Sequence, residues 1–225
     1  MLLDSPRLTD ADRAAWAILE RGDRMRAARG ARRLHVLAGR AQEAIRRHLA
    51  TAPAYVSMSW GKDSVTVAHL ARGVDPTIPL VHGLLDGHEN PESSRVAEEF
   101  LGRWPMPYEA VRCPPGDAWH RPIVDRYGLR RIMGIRATES GVRRLSAAVH
   151  GVATADVCRP ILYWSTAAVF AYLALHDLPV HPSYAMSFGG RLDREYLRVD
   201  ALGGEPGGGN ARPDWEATYY AAEVR

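Results

Sequence analysis

The residues with the clearest chemical potential form one short loop, Ser59-Trp60-Gly61-Lys62-Asp63-Ser64, called the 59–64 loop below. An apolar run precedes the loop and a helical pattern follows it, so the loop joins a strand to a helix. Backbone amides at the start of a helix are unpaired and carry partial positive charge, which attracts phosphate oxygens. Gly61 lets the backbone approach an anion closely, and Lys62 adds a positive charge. The loop is therefore predicted to bind phosphate or pyrophosphate.

The other side chains of the loop have separate predicted roles. Ser59 and Ser64 supply hydroxyl donors, while Trp60 either narrows the loop or stacks on a base. Asp63 would repel phosphate unless it caps backbone amides or holds Mg²⁺, so the sequence predicts a nucleotide bound with Mg²⁺ at Asp63. Lys62 is the single lysine of the chain, which points to a site that needs a compact charge rather than a planar guanidinium. Neither a Walker loop nor a G-x-G-x-x-G fingerprint is present.

Strands and helices alternate around this loop. Asn90 and Pro91 are predicted to begin one helix, and Ser165 or Thr166 a second, nearly all-apolar and buried one. The predicted strands are 54–58, 78–85, 108–112 and 132–135, with a short extended piece at 161–163. This order indicates an α/β fold, a Rossmann-like parallel sheet of about five strands with helices on both faces.

Helical patterns and a strong positive charge precede the sheet. Residues 8–50 are predicted to be helical in two segments, the first capped by Thr9. Residues 1–50 hold 11 arginines against six acidic residues. We interpret this excess either as a solvated helical face or as a surface for a nucleic acid or protein partner. The predicted divisions are 1–50, an Arg-rich helical segment packed on the core, 51–190, the nucleotide-binding domain, and 191–225, a glycine-rich tail.

Composition restricts the class of protein. The 225 residues are 46% apolar and 24% charged, as in one ordinary globular domain. No apolar stretch is long enough to span a membrane, and the first seven residues lack the pattern of a secretory signal. Two cysteines, Cys113 and Cys158, favour a cytoplasmic protein with reduced thiols. The histidines show no metal-ligand spacing, so no zinc is expected, and a homo-oligomer is an open expectation.

Four segments of the chain resemble the phosphoadenosine-phosphosulfate (PAPS) reductase family, within the superfamily of PP-loop ATP pyrophosphatases. The 59–64 loop looks like the S-G-G-K-D-S loop of that superfamily, with Trp60 in place of the first glycine. Residues 85–92 are similar to the D-T-G-x-x-x-P-E segment of the family, and 134–144 to its G-x-R-x-x-x-S-x-x-R segment. Residues 160–184 match its P-[IL]-x-x-W segment and the V, Y and L-P that follow. The segments occur in the order of the family, over roughly residues 35–190.

The resemblance implies an adenine nucleotide α-hydrolase-like fold, with an adenine nucleotide at the carboxyl ends of the strands. It implies that arginines in 134–144 contact phosphate or sulfate through their planar forks, with surface ion pairs as the alternative. A turn cap is the alternative role for Asp86. The predicted catalytic residues are Lys62, Asp63, Asp86 and Arg136. The predicted nucleotide-binding residues are Ser59, Trp60, Gly61, Lys62, Asp63, Ser64, Arg136, Glu139, Arg143 and Arg144.

The sequence departs from the family where sulfur chemistry is done. No counterpart of the nucleophilic cysteine in the E-C-G-x-H segment follows Cys158, and the cysteines of an iron–sulfur cluster are missing. Conventional PAPS reductase activity and an iron–sulfur cluster are therefore not expected. Cys113, placed after a strand, is either a thiol for thiolation chemistry or a buried apolar residue. His88 either acts near a phosphate or is a surface histidine.

Three hypotheses follow from these observations. In the first, the protein is an enzyme that binds ATP with Mg²⁺ and cleaves the α–β phosphate bond to adenylate an acceptor, in sulfur-related or nucleic-acid-modification chemistry. In the second, it is a sulfonucleotide reductase or sulfotransferase-like enzyme that uses the thiol of a partner. In the third, it is a non-catalytic nucleotide-binding subunit of a larger complex.

Overall fold

The structure is a computed structural model, and it describes residues 1–116, 119–199, 201–203 and 213–224. The strands are β1 Tyr55–Met58, β2 Leu80–Leu85, β3 Tyr108–Cys113, β4 Arg131–Met133 and β5 Val157–Cys158. The helices are α1 Asp10–Leu49, α2 Lys62–Arg72, α3 Pro91–Arg103, α4 Arg121–Tyr127, α5 Gly141–His150, α6 Thr166–Leu175 and α7 Pro213–Tyr219, with single 3₁₀ turns at Ala137–Glu139 and Pro182–Tyr184. The strands form one parallel sheet in the order β3-β2-β1-β4-β5, which confirms the predicted α/β fold.

The strand order creates a crevice beside β1. Val56 of β1 is paired with Leu80 of β2 on one side and with Ile132 of β4 on the other. The chain therefore runs outward through β2 and β3 and then returns to the far side of β1. Ligands of open parallel sheets bind at the carboxyl ends of the strands where the order reverses in this way.

Alternate residues of the strands pack on opposite faces of the sheet. Val56 and Leu80 face a large core that also includes residues of α1, α2, α3 and α6. Tyr55 and Val81 face a smaller cluster with Ile123 of α4. The period of two is that of a strand buried on both sides. Helices therefore cover both faces of the sheet, as predicted.

The predicted break within the N-terminal helical region is wrong, because α1 is one continuous helix of 40 residues. Thr9 caps it with a capping box, as the sequence predicts for its first turn. The middle of α1 stays packed because Asp23 accepts two hydrogen bonds from Arg194, at 2.6 and 2.7 Å, and Leu34 lies in the core. Tertiary contacts therefore stabilise the helix over a stretch whose apolar pattern is weak.

The fifth strand lies a few residues before its predicted position at 161–163. The observed strand, Val157–Cys158, pairs in parallel with Arg131 and Ile132. The apolar residues Ile161 and Leu162 are buried in a turn instead, where the Leu162 amide donates to the Arg159 carbonyl oxygen at 3.1 Å. A short apolar run indicates burial, and here the burial comes from a turn.

Two predicted helix starts are confirmed. The Asn90 side chain accepts a hydrogen bond from the Glu92 amide, with Pro91 in the first turn of α3. Ser165, rather than Thr166, caps α6 by accepting from the Ala168 amide. Both caps satisfy amides that a helix leaves unpaired.

The C-terminal region returns to the core. In α7, Trp215 is buried and its indole nitrogen donates to the Met186 carbonyl oxygen at 2.7 Å. Most of the predicted glycine-rich loop at 203–213 lies outside the described residues. Within the described ranges, no helix has both the length and the apolar character needed to span a bilayer.

Two buried histidines make the fold sensitive to acid. Burial lowers the pKa of His82 to about 4 and that of His181 to about 3, from an ordinary 6.5. Because the unfolded chain takes up these protons more readily, their contribution to stability is complete above pH 6.5 and is lost as the pH falls towards 4. We expect the guanidinium midpoint to fall in this window, and to fall less in His181→Asn, where the amide oxygen can accept the hydrogen bond from the Ser183 amide. Equal pH slopes for the two proteins would contradict this assignment.

Candidate functional site

A cavity of about 580 Å³ opens at the carboxyl ends of β1, β2 and β4. Its wall includes most of the 59–64 loop, the end of β2 and the segment that leads into α5. The volume suits a small-molecule ligand, and the position is the crevice that the strand order creates. The cavity is therefore the candidate site.

The 59–64 loop turns sharply at Trp60, whose φ of 58° lies in the left-handed region. The ring of Trp60 is fully buried, with its centre 5.3 Å from that of Tyr108 and 5.8 Å from that of Phe100. A left-handed residue is usually glycine, and the resembling motif has glycine at this position. Of the two roles predicted for Trp60, the structure does not support stacking on a base, because core packing turns the ring away from the cavity.

The loop presents backbone amides to the cavity. Gly61 is the N-cap of α2, and the Lys62 amide donates to the Tyr184 hydroxyl at 3.1 Å. Within the described ranges, the amides of Gly61, Asp63 and Ser64 donate to no other group of the protein. Three unpaired donors at the start of an 11-residue helix are an arrangement suited to an anion.

A buried ion-pair network lies directly behind these amides. Lys62 Nζ is 2.7 Å from Asp63 Oδ2, and Arg136 Nε is 2.7 Å from Asp63 Oδ1. Burial acts to lower the pKa of Lys62, but the Tyr184 hydroxyl and the Asp63 carboxylate outweigh it and raise the pKa above its ordinary value. The ammonium therefore remains charged at the wall of the cavity.

The network assigns the side chains of Asp63 and Arg136 to positioning rather than to ligand contact. The Nη1 atom of Arg136 donates to Thr138 at 3.1 Å and to Thr166 at 3.0 Å, and the residue is 2% exposed. The structure does not support the predicted contact of Arg136 with phosphate, because its donors are turned to protein groups. Asp63 is likewise occupied by two cations, and no group of three potential metal ligands occurs among the described residues. These residues do not fit a protein-held Mg²⁺.

Glu139 is a second buried carboxylate at the cavity wall, surrounded by arginines. It is 2.9 Å from Arg198, 3.6 Å from Arg136, and in an ion pair with Arg143. Burial acts to raise the pKa of Glu139, but the Arg136 amide and the arginines lower it overall. Three arginines around one carboxylate leave net positive charge at this wall, which favours an anionic ligand.

Two adjacent arginines of α5 provide a matched test of this wall. Arg143 lines the cavity, whereas Arg144 is exposed and outside it, so the prediction that Arg144 contacts the nucleotide is not supported. Arg143→Ala should weaken nucleotide binding about tenfold or more, because a hydrogen bond to a charged group contributes about 1.5–3 kcal/mol. Arg144→Ala should change it by less than about twofold. Titration calorimetry checks both, and equal losses would contradict the assignment.

Asp86 lies at the rim rather than in the cavity wall. Its carboxylate is half exposed and 3.0 Å from Arg112, which also contacts Glu89 at 3.3 Å. The Asp86 amide donates to the Cys113 carbonyl oxygen at 3.2 Å, which ties the ends of β2 and β3 together. The structure therefore does not support Asp86 as a catalytic residue.

Neither cysteine offers an accessible thiol. Cys113 is fully buried, and its Sγ is 3.4 Å from the Val111 carbonyl oxygen. Burial, and the nearby Asp86 carboxylate, raise the pKa of Cys113, and burial raises that of Cys158 to about 11. A nucleophilic cysteine needs the opposite, an exposed thiol with a lowered pKa.

Several cavity residues were not predicted from the sequence. Tyr184 holds the Lys62 amide, and Arg198 brings a third arginine to Glu139. His88, which has an alternative surface role in the sequence interpretation, lines the cavity, and its Nδ1 lies 2.6 Å from the Leu202 carbonyl oxygen. The sequence signals were the match of Tyr184 to the resembling segment and the alternative role of His88 near a phosphate. Contacts between residues 59 to 122 positions apart leave no local pattern.

The chain is similar to known proteins over part of its length. No protein-family model matches the chain. The PAPS reductase of Synechococcus sp. is 28% identical over 162 residues, 59% of this chain and 69% of the relative. The PAPS reductase of Alkalilimnicola ehrlichii is 28% identical over 183 residues, 67% of this chain and 73% of the relative.

Two solved structures are similar to part of this chain. PAPS reductase from Candida auris, in complex with phosphate, has a TM-score of 0.49 and 15% identity, over 74% of this chain and 90% of that one. The U34-tRNA thiolase NcsA of Methanococcus maripaludis, with its 4Fe–4S cluster, has a TM-score of 0.41 and 12% identity, over 64% and 65%.

The sheet order and the cavity at its switch point define an open parallel α/β protein with its candidate ligand site at the carboxyl ends of the strands. With 28% identity to two PAPS reductases over 162 and 183 residues, the chain is similar to proteins of that name.

Proposed function

We propose that this protein is an enzyme that binds an adenine nucleotide with its phosphates against the 59–64 loop. The observation that carries the proposal is the set of unpaired amides of Gly61, Asp63 and Ser64 beside the buried ammonium of Lys62, all at one cavity wall. Phosphate oxygens supply the acceptors that these donors lack. The two buried cysteines form no disulfide, as is usual in the cytoplasm. We therefore propose that the protein is cytoplasmic.

The reaction that suits these donors is cleavage of ATP between the α and β phosphates, with transfer of AMP to an acceptor. Negative charge develops on the departing pyrophosphate, and fixed amides together with Lys62 would stabilise it without having to reorganise. The positive wall formed by Arg143 and its neighbours would hold the remaining phosphate. The Mg²⁺ that accompanies ATP would be bound by the phosphates rather than by Asp63, which is paired with two cations.

A sulfonucleotide is the second candidate ligand. The curated relatives are named for PAPS, and the same amides and arginines suit a phosphosulfate. Because Cys113 and Cys158 are both buried, the thiol that sulfur reduction requires would come from a partner protein.

Thermal unfolding with Mg²⁺-ATP, adenosine phosphosulfate and PAPS in parallel tests these proposals. A ligand at 100 times its dissociation constant stabilises the folded protein by about 2.7 kcal/mol. For a chain of this length the midpoint then rises by roughly 5–10 °C. A rise with ATP alone, followed by pyrophosphate release in the presence of an acceptor, supports the adenylating enzyme.

The other outcomes are equally decisive. A rise with a sulfonucleotide alone would replace the ATP proposal with sulfonucleotide chemistry. A rise with ATP but no release of pyrophosphate with any acceptor would indicate a non-catalytic nucleotide-binding subunit. No rise with any of the three would contradict nucleotide binding.

A further inference from the structure

The outer face of α1 carries an unusual run of positive charge. Between Arg24 and Gln42 the helix holds six arginines and no acidic residue. Two of them have local partners, because Arg24 pairs with Glu20 and Arg26 with Asp23. The four others are exposed and have no carboxylate partner in the part of the chain that the structure describes, namely Arg29, Arg32, Arg33 and Arg40. Like charges three and four residues apart repel each other, so a bound polyanion would stabilise this face.

The positive face continues to the end of α1 at regular spacing. Arg33, Arg40 and Arg47 are seven residues apart, so they lie on one side of the helix at intervals of about 10 Å. Each interval equals about three nucleotides of a stacked strand, at 3.4 Å per nucleotide. The side chain of Arg47 is 74% exposed and pairs with Glu43 at 3.6 Å, so Glu43 offsets part of the charge at this end of the helix. The row, called the α1 arginine row below, can follow a phosphodiester backbone for about 20 Å.

A second cavity, of about 410 Å³, lies at the end of this row. Arg47, His48 and Arg130 line it, together with Ala153. His48 is only 5% exposed, and within the described ranges its Nε2 and the Nε of Arg130 have no hydrogen-bond partner. The guanidinium of Arg130 is held in place by the His48 carbonyl oxygen at 2.6 Å and by Thr51 Oγ1 at 2.7 Å. The cavity is therefore a recess with fixed positive charge at the end of the row, which suits an anionic ligand.

We propose that the α1 arginine row and the cavity lined by His48 bind a nucleic acid, with phosphates along the row and one nucleotide in the cavity. A membrane surface fits less well, because the apolar side of α1, with Trp16, Leu34 and Ile45, is buried in the core and unable to enter lipid. The surface is separate from the 59–64 loop, since it lies at the amino ends of the strands, where Arg130 precedes β4. The proposal stands independently of the nucleotide site.

Fluorescence anisotropy with labelled 20-nucleotide RNA, single-stranded DNA and duplex DNA, over a series of salt concentrations, tests the arginine row. The triple variant Arg33→Ala, Arg40→Ala, Arg47→Ala should weaken binding of a single strand about tenfold to hundredfold at 0.1 M salt, and lower the salt slope by about 2. A control variant removes the same charge elsewhere, Arg121→Ala, Arg126→Ala, Arg144→Ala, and should change binding by less than about threefold. The three probes show which nucleic acid is preferred.

A separate variant tests the cavity. Ala153→Phe places a ring in it and should weaken binding with no change in the salt slope, because no phosphate contact is removed. Unchanged affinity in Ala153→Phe would overturn the placement of a nucleotide in the cavity. Equal losses in the two triple variants, or binding only to anionic vesicles or polyglutamate, would overturn the nucleic-acid surface. If the triple variant keeps its nucleotide-induced rise in the thermal midpoint, the 59–64 loop is intact. Failure of the nucleic-acid proposal is therefore distinguishable from failure of the proposed function.

Discussion

Lys62→Met should remove most of the thermal stabilisation that bound nucleotide gives this protein. The ammonium is fixed at the cavity wall by Asp63 at 2.7 Å, and its raised pKa keeps it charged throughout the usual assay range. Loss of a charge-assisted hydrogen bond of about 2–3 kcal/mol raises a dissociation constant roughly 30- to 150-fold. At a nucleotide concentration of 100 times the wild-type constant, stabilisation falls from about 2.7 to below about 1 kcal/mol.

The control for Lys62→Met must disturb the same helix without touching the cavity. Thr66 is one turn further along α2, is buried, and donates to the Lys62 carbonyl oxygen at 2.8 Å. Thr66→Val should lower the midpoint of the protein without ligand and leave the nucleotide-induced rise unchanged. A full rise in Lys62→Met would show that the loop holds phosphate through its amides alone. A reduced rise in Thr66→Val would show that helix stability, and not the charge, controls binding.

The position of the phosphate loop could be predicted because it depends on local features. Glycine and serine between an apolar run and a helical pattern define a strand-to-helix turn, and a single lysine in a chain with 28 arginines draws attention to Lys62. The caps at Asn90 and Ser165 were predictable for the same reason, since capping residues act within three positions of themselves. Local sequence chemistry therefore sufficed to predict the helices and strands, and the edge of the sheet at which they meet.

The roles of individual side chains depended on distant contacts and could not be predicted. Whether Trp60 faced the cavity or the core was set by Phe100 and Tyr108, which come from two other elements. Arg136 follows a strand, as a ligand-binding arginine would, yet Asp63 and Thr166 engage its donors. A motif therefore located the positively charged residues of the site, while the tertiary structure determined which of them face the ligand.

Gly134→Ala should both destabilise the protein and abolish the nucleotide response, because β4 ends against the backbone of the 59–64 loop. A β-carbon at Gly134 would lie 2.6 Å from the Asp63 carbonyl carbon and 2.7 Å from the Ser64 amide nitrogen. Backbone atoms at such distances must move apart, and overpacking of this kind costs about 1–3 kcal/mol or more. The midpoint should fall by roughly 2–12 °C, and displacement of the Ser64 amide should remove the nucleotide-induced rise.

The matched control is Gly102→Ala in α3, where a β-carbon meets no atom within 4 Å. Alanine is favoured over glycine inside a helix by about 1 kcal/mol, so this variant should be as stable as the wild type or more so, with its nucleotide response intact. Comparison of the two variants distinguishes an effect of the close approach of two backbones from a general effect of replacing glycine. A normal midpoint and response in Gly134→Ala would mean that β4 and the loop can separate freely, and the amides would then not be held in place for phosphate. The rigidity of the site therefore depends on the absence of a β-carbon at Gly134, which lies opposite the amides that are proposed to bind the nucleotide.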